Sequence, residues 1–298
     1  MKIGLLSGAS GHTYLALDTT GRAVTLAGLD RDGIPAVTRN AVRELQERPS
    51  AAALAALLPS LPALWQEHAP KLPSIQISLD RLQPPVMPRN FVCVGLNYAD
   101  HVKESKAEKP KQPLLFAKTG NAVTGHGHVI RLPRTSREVD FEAELAVVIG
   151  RTCRGVSAAT ALDHVAGYTC CNDISARDYQ FGDGQWYRGK SADGFGPLGP
   201  WLVTPDEVGD PHALRICFRL NGQTLQDSST NQLIFRIPEL IAYISQSITL
   251  EPGDVISTGT PPGVGFARTP PVFLQPGDRM EVEIEKLGTL VNTCTQEN

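Results

Sequence analysis

Asp140-Phe141-Glu142-Ala143-Glu144-Leu145-Ala146-Val147-Val148-Ile149-Gly150 has the alternation of a β-strand. A strand sends successive side chains to opposite faces, so the apolar odd positions Phe141, Ala143, Leu145, Val147 and Ile149 make one core face. The even face carries Glu142 and Glu144 side by side, then Ala146 and Val148. Two carboxylates thus point together into otherwise apolar surroundings. Like charges so close do not both ionise unpaired, and a divalent cation with oxygen ligands relieves the repulsion and the burial cost together. The other reading is a solvated strand face with salt bridges to Arg134 or Arg137, and the Glu-x-Glu spacing by itself leaves both open.

Downstream, residues 165–171 form a strand-like run that ends at Asn172-Asp173. That puts Asp173 at a strand mouth, as a third carboxylate or as a plain turn residue. From Arg89 onward, further strand patterns occupy residues 91–95, 114–118, 144–150, 214–220, 254–257 and 279–284, whereas helices are few, with 158–164 and 237–246 the best candidates. Leu250-Glu251-Pro252-Gly253-Asp254 and Leu274-Gln275-Pro276-Gly277-Asp278 repeat one turn that delivers the chain into a strand. The expected catalytic part is therefore a β-rich barrel or rolled sheet, closed to manage its edges.

The first part reads differently. Short β-like runs at 13–17 and 23–26 give way to Ala/Leu-rich helical patterning over 43–64. Prolines 84, 85 and 88 interrupt any ladder and mark a boundary. The expected organisation is a small N-terminal α+β domain over 1–83 and a catalytic domain over 84–298, an α+β, β-rich class overall.

Of the 298 residues, 41% are hydrophobic and 20% charged, with a net charge of -3, which is ordinary globular composition and gives no basic surface for nucleic acid or a membrane. No apolar run approaches the ~20 residues of a membrane span, and Gly11 and His12 come too early for a signal peptide, so a cytosolic protein is expected. The six cysteines lack any CxxC pair and read as small buried hydrophobes, which excludes a thiolate metal site.

Asn97-Tyr98-Ala99-Asp100-His101-Val102-Lys103-Glu104 follows a strand, and its His101 and Glu104 share one face if the segment is helical. A carboxylate beside an imidazole fixes its tautomer and raises its basicity. A solvated polar helix with an incidental histidine has the same pattern. Residues 103–112, highly charged and carrying Pro110, look like a mobile lid. Gly184-Gln185-Trp186-Tyr187-Arg188-Gly189-Lys190-Ser191 matches the phosphate-loop pattern, but the context is wrong: the preceding residues are polar, and Gly194, Gly196 and Pro197 forbid a following helix. Lys190 remains as a cation able to polarise a substrate oxygen. Ser257-Thr258-Gly259-Thr260-Pro261-Pro262-Gly263-Val264-Gly265 offers amides and hydroxyls to a carboxylate, or is a tight connecting turn.

Taken in order, Val94-Gly95-Leu96-Asn97-Tyr98 with His101 and Glu104, the Asp140 to Leu145 stretch, Asn172-Asp173-Ile174-Ser175-Ala176-Arg177-Asp178, Gly189-Lys190-Ser191 and the 258–265 segment resemble the fumarylacetoacetate hydrolase superfamily. The resemblance implies a mixed β-roll catalytic domain behind a smaller N-terminal domain, usually in a homodimer. It also implies Mg²⁺, Mn²⁺ or Ca²⁺ at Glu142, Glu144 and Asp173. It further implies His101 and Glu104 as a water-activating dyad on a lid, Lys190 as the group stabilising an enolate, and Thr260 with the Gly259 amide as the grip on a 2-oxo acid. Lys118 matches a lysine of relatives but receives no role, and Asp100 as a ligand stays open. The implied reaction is hydrolysis of a carbon–carbon bond in an acylpyruvate-like acid, in aromatic or sugar-acid catabolism. The alternative is an oxaloacetate-type decarboxylase or a 2-hydroxydienoate isomerase on the same site.

Overall fold

The computed structural model describes residues 1–8, 11–17, 22–47, 50–105 and 108–297. The strand Ala143–Ile149 lies near the middle of the main sheet and is buried along its whole length. Its odd side chains join Phe141 in a cluster with Ile216, Phe218, Val282 and Ile284, where Phe141 stacks on Phe218 at 4.1 Å. Ala146 and Val148 on the other face join a second cluster with Leu54, Leu57, Leu61 and Trp65. One face of the strand is thus covered by another sheet and the opposite face by helices, which is why no position on it is polar except at its mouth.

The main sheet has eleven strands among the described residues. Nine of them form the path Ala23–Thr25, Gly11–Leu17, Lys2–Gly8, Gly196–Val203, Val165–Asn172, Ala143–Ile149, Val255–Ser257, Phe91–Gly95, Leu114–Lys118, while Leu82–Gln83 pairs with Lys2–Gly8 and Val123–Thr124 with Gly196–Val203 off it. A five-stranded sheet, in the order Gln223–Ser229, Arg215–Leu220, Arg279–Ile284, Gly288–Gln296, Val129–Leu132, supplies the other half of the first cluster. The fold is mixed α+β and strand-rich. The sheets do not close into a barrel: the end strands Ala23–Thr25 and Leu114–Lys118 are not paired with each other, and the core is sealed by stacking. Lys2–Gly8 pairs with Gly196–Val203, so hydrogen bonding runs across the proline-marked boundary.

The 43–64 pattern resolves into Ala36–Glu47, Ala51–Leu57 and Leu61–His68, because Ser50 caps the second helix by accepting from the Ala53 N–H at 3.1 Å and Pro62 opens the third. The helix expected at 158–164 shrinks to the turn Ala161–His164. Gly196–Val203 escapes the sequence reading because Gly196, Pro197, Gly199 and Pro200 weaken its strand character; the ladder to Val165–Asn172 shifts register where Pro200 falls. The repeated Pro-Gly turns close identically, with Asp254 accepting from the Glu251 N–H and Asp278 from the Gln275 N–H. No helix among the described residues is long and apolar enough to cross a membrane.

Candidate active site

Register builds the site. Ala143 pairs with Asn172 and Glu144 with Cys171, so Glu142 and Asp173 meet just beyond the hairpin's paired end, on the face that carries Glu144. The Asp173 N–H donates to Glu142 O at 2.9 Å, and the Glu142 N–H to Asn172 Oδ1 at 3.0 Å. Val255–Ser257 flanks the same strand with Ala146 opposite Ser257, which brings the Ser257 hydroxyl and the Gly259 N–H onto Glu144 Oε2 at 2.5 and 2.9 Å. Oxygens of Glu142, Glu144 and Asp173 lie within 4.8 Å of one another, and all three residues are buried.

Three cations face these acids. The Lys190 ammonium, from the short helix Tyr187–Lys190, donates to Glu142 Oε2 at 2.8 Å and Asp173 Oδ2 at 2.7 Å. Arg177 lies 2.7 Å from Glu142 Oε1 and donates through Nε to Asp140 Oδ2 at 2.9 Å, and Asp140 also accepts the Gly265 N–H. Lys118, at the end of its strand, lies 2.7 Å from Asp173 Oδ1 but directs its protons at the carbonyls of Ile174, Lys190 and Phe195. Lys118 is therefore a fixed counter-charge tying together the backbone around Asp173 and Lys190. Lys118→Met is expected to lower the unfolding free energy of the metal-free protein by about 3–5 kcal/mol, the cost of leaving one member of a buried pair alone. Urea unfolding measures it, and a loss under about 1 kcal/mol would show that Asp173 is compensated elsewhere.

Burial pushes the Glu142 carboxyl up, but Lys190 and Arg177 outweigh it and hold it at about 2. Burial also pulls the Lys190 ammonium down, and Asp173 and Glu142 overcome that and raise it. Glu144 differs: burial first, then the charges of Asp173 and Glu142, push its carboxyl well above the usual range, and its hydrogen bonds come only from the neutral Ser257 and Gly259 donors. Asp173 Oδ1, fully buried, has the Lys118 ammonium 2.7 Å away but accepts no well-aligned hydrogen bond from it. Three converging buried carboxylates, one of them without a cationic partner, together fit a hard divalent cation held by Glu142, Glu144 and Asp173. Among the described residues the pairing with Arg134 or Arg137 is not formed; Arg177 takes that place.

His101 sits on the helix Ala99–Ser105, buried, with Nδ1 3.2 Å from Glu104 Oε2. Burial raises the Glu104 carboxyl, but the His101 contact and the Gly263 N–H bring it below its ordinary value. Asp100 is committed elsewhere, accepting the Ser228 hydroxyl at 2.6 Å and the His101 N–H, and it is not among the triad. Residues 106–107 of the expected lid lie outside the described residues. His101, Glu142, Arg177, Lys190 and Thr260 line one cavity of about 160 Å³. A larger depression of about 680 Å³, along Asn121, His128 and Arg131, shares no lining residue with it and holds none of these groups.

The Gly259 N–H is used on Glu144, and the Thr260 hydroxyl donates to Ala143 O while accepting from Gln226 Nε2, so both brace the carboxylate strand. Gly189 is glycine for packing, since a Cβ there would come within 2.7 Å of Ala176 O and Gln180 N. The phosphate-loop look-alike is flanked by the helix Arg177–Gly182 and the strand Gly196–Val203, the reverse of a strand, loop and helix. Asp140, Arg177, Gln226 and Ser257 were not singled out from sequence. Asp140, Arg177 and Ser257 stand inside the quoted stretches, but Gln226 joins only through tertiary pairing.

Residues 90–295 match the family described as fumarylacetoacetate hydrolase, C-terminal. The chain is 51% identical over 225 residues to the mitochondrial oxaloacetate tautomerase FAHD2A of Bos taurus, covering 75% of this chain and 71% of that protein. Among solved structures it resembles a fumarylacetoacetate hydrolase from Exiguobacterium antarcticum, with 32% identity, full coverage of both chains and a TM-score of 0.80. It also resembles a 5-carboxymethyl-2-hydroxymuconate delta-isomerase from Mycobacterium smegmatis, with 33% identity, full coverage of both and a TM-score of 0.75. The expectation of a cytosolic protein is corrected by these comparisons, because the tautomerase relatives of Bos taurus and Homo sapiens are named as mitochondrial proteins. The match over residues 90–295, the stretch that contains the carboxylate site, together with 51% identity over 225 residues, places the chain in the fumarylacetoacetate hydrolase family.

Proposed function

We propose that the chain is a metal-dependent enzyme that interconverts the keto and enol forms of a small 2-oxo diacid, an oxaloacetate-type tautomerase. The observation that carries this reading is one small cavity faced at once by a carboxylate-held imidazole, His101, and a buried ammonium, Lys190. Moving a proton between carbon and oxygen needs one base and one stabiliser of the developing negative charge, and no attacking water. The names of the relatives favour this reading over the carbon–carbon hydrolysis that the motifs first pointed to.

In the proposed mechanism, Glu104 orients the His101 ring, and the imidazole takes the C3 proton and returns it to the C2 oxygen. Lys190 faces the charge that develops on that oxygen, while Arg177 and Lys118 hold Glu142 and Asp173 in place. A divalent cation at the triad, Mg²⁺ or Mn²⁺ by its hard oxygen donors, would polarise the substrate carbonyl. Four acids, Asp140, Glu142, Glu144 and Asp173, face three basic side chains, so with all four ionised a bound dication would leave the site net positive and attractive to a dianion. A homodimer, implied by the family, belongs to the same proposal and is read by light scattering.

The test is the decay of freshly dissolved enol oxaloacetate, followed by ultraviolet absorbance with Mg²⁺ or Mn²⁺ present. Catalysed loss of the enol without release of CO₂ is expected. Rapid cleavage of acetylpyruvate into two acids, with no effect on enol decay, would sink the tautomerase reading and restore the hydrolase.

A further inference from the structure

The two cations that face the cavity are each backed by an aromatic pair. The Lys190 ammonium lies 4.9 Å from the centroid of Phe116, and Phe116 meets Trp186 edge-on at 5.2 Å. The Arg177 guanidinium lies 4.4 Å over Phe266, and Phe266 meets Phe181 edge-on at 5.8 Å. All six side chains line the same cavity. The inner rings touch the charges; the outer rings touch only the inner rings among these contacts. Phe181 is 58% exposed, at the rim, and a Cβ on Gly95 would approach the Trp186 ring to 2.9 Å, so the backbone beneath Trp186 is cut to the shape of its ring.

We propose that these rings form a collar limiting the site to short 2-oxo acids, with Trp186 and Phe181 as the specificity-determining residues. The inference rests on the 2-oxo acid reading above and adds its size limit. A cavity of about 160 Å³ is well below the roughly 300 Å³ at which pockets for drug-sized ligands begin. A 2-oxo acid seated against Lys190 and the carboxylates must extend its remaining carbons between the two aromatic pairs. A short chain ends before the outer rings, and a phenyl group does not. Because the outer rings bear no direct contact to the charges, trimming them widens the mouth and leaves the ion pairs alone.

The experiment is calorimetric titration of the Mn²⁺-supplied protein with pyruvate and with phenylpyruvate. Trp186→Ala and Phe181→Ala are each expected to shift the ratio of the two affinities toward phenylpyruvate by about tenfold, the scale on which pockets discriminate by size. Phe181 is exposed at the rim, so its variant keeps the test alive should Trp186→Ala fail to fold. Pyruvate binding with an unchanged ratio, or a ratio that moves against phenylpyruvate because stacking is lost, would overturn the collar while sparing the 2-oxo acid reading. Absence of binding of both pyruvate and oxaloacetate by the unmodified protein would remove that reading and the collar with it.

Discussion

Glu144→Gln is expected to abolish metal binding and turnover and yet to stabilise the metal-free protein. The glutamine keeps an oxygen for the Ser257 hydroxyl and the Gly259 N–H and removes a buried charge that has no cationic partner. The sign follows from the raised Glu144 carboxyl: the folded protein without metal binds a proton there more tightly than the unfolded chain, so its stability falls as pH rises above the ordinary carboxylate range. The glutamine variant loses that slope. Asp173→Asn has the opposite sign, because Lys118 and Lys190 both lose a buried counter-charge, at a cost of about 3–5 kcal/mol. Melting of the two variants with and without Mn²⁺ checks both. A Glu144→Gln protein that still gains stability from Mn²⁺, or that melts below the parent without it, would show that Glu144 is not the acid awaiting a cation. Glu142→Ala should also abolish turnover while destabilising, since Arg177 and Lys190 are left facing each other.

The second large effect is His101→Ala, expected to lower kcat for enol decay by about 10²-fold or more, the usual contribution of a positioned base. Metal affinity should change far less, as His101 is not among the three ligands. Added imidazole should restore part of the rate. Parent-like kcat in the variant would place the proton transfer on another group, and a parallel loss of Mn²⁺ affinity would make the defect structural.

Much of the site was legible because the stretch 141–149 has period two and its polar residues, Glu142 and Glu144, come in one pair. Glu142, Glu144 and Asp173 were readable for that reason, and the hairpin register that joins them follows from burying the odd face. Lys118 and Arg177 were present in the sequence, but their partners lie across long stretches of chain, and nothing local marks a lysine that will be sealed among three carbonyls. Closure of the sheet into a barrel was over-read, since short strands at close spacing do not say whether edges meet or are covered by a second layer. The proline-rich strand Gly196–Val203 went unread because its neighbours, not its own propensity, hold it in the sheet.

The pairing of Ala143–Ile149 with Val165–Asn172 fixes the hydrophobic core and the carboxylate cluster together. A slip of one residue would turn Leu145 and Val147 out of the first cluster and send Glu142 and Glu144 into it. Molecules that mispair during folding are therefore both inactive and poorly packed, with no well-packed but dead population between. Activity recovered on refolding counts correctly registered chains, and Mn²⁺, by binding only the correct register, should raise that yield.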